Sequence, residues 1–126
     1  MSFTNYLETE ILDHVFGGNA YTAPATLYVG LYTAAPGEAG GGTELSGSGY
    51  ARQTTAFTVS GSTASNSANI EFPAATGNWG TVTHAGIFDA STGGNLIAYA
   101  TLTSSKVVET GDILRFSASQ LQVTLD

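Results

Sequence analysis

Cysteine is absent from the 126 residues, which removes disulfide staples and thiolate metal sites, so packing or oligomerisation must hold the chain together. Positive charge is nearly as scarce. Three cations, Arg52, Lys106 and Arg115, stand against ten acids and leave a net charge of −7; they form no cluster able to neutralise a run of phosphates, so nucleic acid is not an expected partner. Charged residues of both signs make up 10% of the chain, against about a quarter in an ordinary soluble domain. A surface covered instead by Ser, Thr, Asn, Gln and Gly repels its own copies weakly, which suits a protein packed into an assembly or meeting uncharged ligands. Long hydrophobic runs are missing too. No stretch is apolar enough to span a bilayer, and Glu8 and Glu10 interrupt the N-terminal segment before it reads as a secretory leader; no membrane insertion is expected.

What is present begins with a helical pattern. Phe3, Leu7, Ile11 and Val15 recur every four residues, with Leu12 and Phe16 beside them and Glu8, Glu10 and Asp13 elsewhere on the wheel. Ser2, Thr4 or Asn5 can cap the start, and Gly17-Gly18-Asn19 supplies a left-handed stop, which predicts an amphipathic helix over about 4 to 16.

After the stop the period drops to two. Leu27, Val29 and Leu31 alternate with Tyr28, Gly30 and Tyr32 as a half-buried strand. Residues 33–49 carry so much glycine and so few apolar anchors that they read as a long mobile loop. Further strands are expected over 50–59, 68–72, 81–89, 96–102, 107–108, 113–116 and 121–125, with a hairpin turn at 91–95. Short strands joined by Gly-rich turns, with no second helix to cross over, predict a mainly β fold: an antiparallel β-sandwich or jelly roll behind one N-terminal amphipathic helix. The chain divides on this reading into a helical docking arm, 1–18, and a β-sandwich domain, 19–126. The helix would pack on an open sheet edge or on another subunit, and Phe3, Leu7, Ile11 and Val15 are its candidate assembly interface.

Catalytic patterns do not form. His14 and His84 have no metal-ligand spacing, no Gly-x-Ser-x-Gly elbow accompanies the many serines, and the acids are scattered through turns. Gly40-Gly41-Gly42 lacks the Gly-Lys-Ser/Thr ending of a phosphate loop. The turns at 89–95 and 109–112 collect oxygen ligands without matching a spaced calcium loop. The expectation is no enzyme, no metal and no cofactor. Aromatic residues offer two roles, core packing or contact with a partner such as a sugar, and Trp79, Tyr50 and Tyr32 are the candidate ligand or partner contacts. Trp79, in a Gly-rich loop, either plugs the core or meets a partner.

Leu12-Asp13-His14-Val15-Phe16-Gly17-Gly18, Tyr28-Val29-Gly30-Leu31-Tyr32, Gly40-Gly41-Gly42-Thr43-Glu44, Gly49-Tyr50-Ala51-Arg52-Gln53, Trp79 through Asp89 and Gly111 through Phe116 together resemble small virion proteins of tailed bacteriophages, often labelled tail fibre proteins. The resemblance spans nearly the whole chain. It implies a repeated structural subunit in the virion, most simply a tail or neck fibre or appendage, with capsid decoration or a host-surface carbohydrate-binding adhesin as alternatives. It also implies a homo-oligomer, by analogy a trimer, contacting other virion proteins, with no catalytic residues to carry over. No repetitive shaft is present, so a short knob, adaptor or decoration fits better than a full fibre.

Overall fold

The computed structural model describes residues 1–125. Thr4 opens the helix, as its hydroxyl promises. It sits extended at φ −78° and ψ 162°, and its Oγ1 accepts from the Leu7 amide, satisfying one of the orphan donors of the first turn. The same side chain is 1% exposed and donates to the Leu96 carbonyl at 2.6 Å, so the cap also binds the helix to the sheet. α1 runs Asn5–Val15 and ends where Gly18, at φ 75°, lets the Asn19 amide return to the Asp13 carbonyl.

The strands are β1 (Ser2–Phe3), β2 (Leu27–Ala34), β3 (Thr43–Glu44), β4 (Gln53–Thr55), β5 (Phe57–Ser60), β6 (Thr63–Asn66), β7 (Ile70–Glu71), β8 (Gly80–Phe88), β9 (Leu96–Val108), β10 (Arg115–Phe116) and β11 (Gln122–Thr124). Strands account for 43% and helix for 9% of the chain, so the fold is mainly β. One sheet has the order β1-β9-β8-β2-β3, with β4 on the first half of β2; β10-β7 and β11-β6-β5 form two smaller sheets, and every pairing is antiparallel. The arrangement is sandwich-like, with sheets of unequal size. Between them lies the main core: Val29, Leu31, Val82 and Ala85 from the large sheet meet Ile70, Phe72, Leu114 and Leu121, with Trp79 and Val108 beside them.

Three details depart from the sequence reading. Phe3 precedes the helix in an extended strand paired with Ala98, because its period-four match to Leu7 carries no information about where the N-cap falls. The expected strands 96–102 and 107–108 are one element. Opposite Val82 and His84 of β8 stand Lys106 and Thr101 of β9, so 102–105 swell out as a bulge rather than end the strand. The loop at 33–49 is held down rather than loose: it contains β3, the Leu45 amide bonds the Leu31 carbonyl at 2.9 Å, and the Ser48 carbonyl accepts from both the Thr76 amide and the Trp79 indole.

Gly30 and Gly86 face each other in register across β2 and β8, and both are required by what lies over them. A Cβ at Gly86 would come within 2.6 Å of Leu96 and 3.1 Å of the Tyr32 ring. At Gly30 it would meet the Phe88 ring at 2.7 Å and the Glu44 carboxylate at 2.8 Å. Gly86→Ala is expected to cost about 1–3 kcal/mol through overpacking, read as a lowered midpoint in chemical denaturation with unchanged slope.

Candidate functional site

β3 and β4 pair with opposite ends of β2 and leave its outer edge open in the middle. An unpaired amide in that gap needs a partner. Tyr50 supplies it: its hydroxyl accepts from the Leu31 amide at 3.0 Å and donates to Glu44 Oε2 at 2.7 Å. Arg52 completes the group. Its Nε and Nη2 each reach a Glu44 carboxylate oxygen at 2.8 Å, a bidentate pair, while Nη1 donates to the Ala90 and Gly93 carbonyls at 2.8 and 2.9 Å. The guanidinium carbon lies 3.4 Å above the Phe88 ring, close enough for a cation–π contribution. Arg52 and Glu44 side chains are 8% and 24% exposed. A single ion pair thus ties the loop before β4 to β3 and to the turn between β8 and β9.

Tyr32 stacks beside Phe88, its ring 6.2 Å away and 12° from parallel. Beyond it opens a cleft of about 450 Å³ between the Gly40–Gly42 loop, the 93–95 turn and the start of α1. Burial, and after it the Glu44 carboxylate, pushes the Tyr32 hydroxyl up to about 12. Tyr50 is raised further, by burial first and then by its hydrogen bond to Glu44. An unfolded tyrosine ionises near pH 10, so above that pH the native state holds protons the unfolded state has lost. The stability these phenols contribute is therefore complete below about pH 10 and falls as pH rises through the folded value of about 12. Thermal melts at alkaline pH should show that loss, and Tyr50→Phe should make it shallower.

The candidate partner contacts named from sequence do not form one surface. Trp79 is 6% exposed, donates its indole N–H to Ser48 at 2.8 Å and meets Tyr50 edge-on at 5.7 Å. Tyr50 stacks on Phe72 at 6.1 Å. Trp79 is buried and Tyr50 half-buried, each engaged by neighbouring aromatic rings, and Tyr32 lines a cleft. The helix residues divide as well. Phe3 and Leu7 pack with Tyr6 against Ile87, Ile97 and Ala98, Ile11 is half-buried, and Val15 is 61% exposed.

Glu44, Arg52, Gly30 and Gly86 did not stand out in the sequence. The available signal was Arg52 itself, one of three cations in a charge-poor chain and two residues from Tyr50, hence on the same side of an extended segment. The turn acids behave as turn-makers: Asp89 accepts from the Asn95 amide and side chain, and Asp112 from the Glu109 amide. Among the described residues no three His, Asp or Glu side chains converge to hold a metal, and no helix is long and apolar enough to cross a membrane.

Comparison with curated proteins gives no significant match. Comparison with protein families does: the family described as podophage GP4 fiber I protein gp80 matches residues 2–124. That span takes in the helix, all three sheets and the Glu44–Arg52 group, and it agrees with a β-rich structural domain. The chain belongs to the podophage GP4 fiber I protein gp80 family, and its role is that of a structural fibre or appendage protein of a phage.

Proposed function

We propose that the protein is a subunit of a virion fibre or appendage that assembles with copies of itself through the second half of its helix. The observation that carries this reading is the division of the helix's apolar residues. Leu7 is used by the protein's own sheet, whereas Leu12, Val15 and Phe16 are 58%, 61% and 83% exposed and recur at i, i+3 and i+4, the spacing of one continuous stripe. An apolar stripe on a charge-poor surface is costly to leave in water and cheap to join. A closed ring of copies satisfies every stripe, and a trimer is the order suggested by likeness to phage fibres.

This relocates the interface expected from sequence. Leu7→Asp should damage the monomer itself, because it places an unpaired carboxylate against Ile97 and Ala98. Phe16→Asp should leave the melting temperature nearly unchanged and weaken assembly. Position in the particle is tested by labelling the protein and imaging virions: label on the tail or neck supports the fibre reading, label spread over the capsid would favour a decoration protein, and unlabelled virions would defeat both.

A further inference from the structure

We propose that the cleft between the Gly40–Gly42 loop and the 93–95 turn binds a neutral saccharide unit through the Tyr32 hydroxyl and the remaining Arg52 donor. The proposal is independent of assembly, since every group it needs belongs to one chain.

Tyr32 is 5% exposed, and its backbone sits in the middle of the large sheet. Its hydroxyl nevertheless makes no hydrogen bond to any described residue, and the side chain lines the cleft. The oxygen is open to the cleft rather than sealed in the core, since among the described residues the one fully buried side-chain polar atom without a partner is Thr55 Oγ1; the Tyr50 hydroxyl, by contrast, has both its bonds satisfied within the protein. The Tyr32 hydroxyl is thus a donor and acceptor held rigidly at an opening, with its ring fixed by Phe88. Arg52 has a similar remainder. Four of its five N–H groups are committed, two to Glu44 and one each to Ala90 and Gly93, leaving one Nη2 hydrogen.

The walls select the ligand's chemistry. Gly40, Gly41 and Gly42 all have positive φ, at 83°, 102° and 70°, and a Cβ on Gly40 or Gly41 would meet nothing within 4 Å. These glycines serve the loop's path and leave a rim of bare backbone. The Arg52 charge is matched by Glu44, and Glu38 adds an unmatched carboxylate to the lining, so the cleft repels phosphates and other anions. An apolar ligand finds little, because Arg52 covers the Phe88 ring. What suits rigid hydroxyl, amide and guanidinium groups around a space of about 450 Å³ with one unmatched carboxylate on its rim is a compact uncharged ligand dense in hydroxyls, and the volume lies within the usual range for small-molecule sites.

The test uses the full chain, labelled with ¹⁵N, and neutral methyl glycosides of glucose, galactose, mannose, rhamnose and N-acetylglucosamine, with inorganic phosphate as the anionic probe. The expected result is that at least one glycoside at millimolar concentration shifts the amide signals of Gly40, Gly41, Gly42 and Asn95, while phosphate does not. Tyr32→Phe, which removes only the hydroxyl, should weaken that binding about tenfold while leaving thermal stability near wild type. Absence of shifts with every glycoside, shifts confined to other parts of the molecule, a response to phosphate instead, or unchanged affinity in Tyr32→Phe would each overturn the proposal. The location of the shifts is read on the wild-type protein, so it decides the matter even if the variant folds poorly.

Discussion

Glu44→Ala is expected to lower the stability of the fold by about 3 kcal/mol or more, the cost of removing one partner of a largely buried ion pair. The reason lies in what the substitution leaves behind. Arg52, with its side chain 8% exposed, would keep its charge above the Phe88 ring with no counter-ion, and the Tyr50 hydroxyl would lose its acceptor while still serving the Leu31 amide. Three segments then part company: β3, the approach to β4 and the turn after β8. For a domain whose total stability is of order 5–15 kcal/mol this is a large fraction, equivalent to a fall in melting temperature of roughly 10 °C or more. Urea denaturation checks it. Replacing both partners at once, Glu44→Leu with Arg52→Met, should cost less than Glu44→Ala, because no charge is stranded.

Trp79→Ala should cost about 3–5 kcal/mol, the range for emptying a large aromatic site in a packed core. The indole is 6% exposed, touches Tyr50 edge-on and anchors the Ser48 carbonyl, so its loss removes packing and leaves an acceptor short of one bond. Ser48 itself is held at φ 51°, a left-handed conformation that non-glycine residues adopt only where the surroundings compensate. Trp79→Phe keeps most of the buried area and removes only the hydrogen bond, so about 1 kcal/mol is expected. A denaturation series over the three proteins would separate the two contributions. A Trp79→Ala protein of wild-type stability would favour the partner contact, the other of the two roles that its loop position left open.

The parts of the fold legible in the sequence were those with a period. The helix over about 4 to 16 is observed at Asn5–Val15, and β2 lies where Val29 and Leu31 alternate with Gly30 and Tyr32. Periodicity could not report what each face touches: Leu7 and Val15 belong to one sequence pattern, yet one meets Ile97 and the other solvent. It was equally blind to β9, whose bulge at 102–105 resembles a break because its residues, Leu102-Thr103-Ser104-Ser105, include three polar ones. The order of the Gly-rich loop escapes composition for a different reason. Composition measures the entropy of ordering a segment, whereas the bonds that offset it tie the loop's Leu45 back to Leu31 and its Ser48 carbonyl to Thr76 and Trp79, far along the chain. Gly30, Gly86, Glu44 and Arg52 form a group only once β2, β3 and β8 are side by side, so no short motif could contain it.

Two ideas about this chain have the same origin in its shortage of charge. Inside, the few charges are concentrated: Arg52 and Glu44 make the one ion pair among the described residues, and they tie β3, the approach to β4 and the turn after β8 together. Outside, an apolar helix stripe stands on a surface where charged side chains are few, so its association rests on apolar burial. The most direct test of assembly through that stripe is sedimentation equilibrium of the full chain beside Phe16→Asp and Val15→Asp. The account predicts a wild-type oligomer, with both variants shifted toward monomer at unchanged melting temperature; a monomeric wild type, or variants that assemble as well as it does, would contradict it.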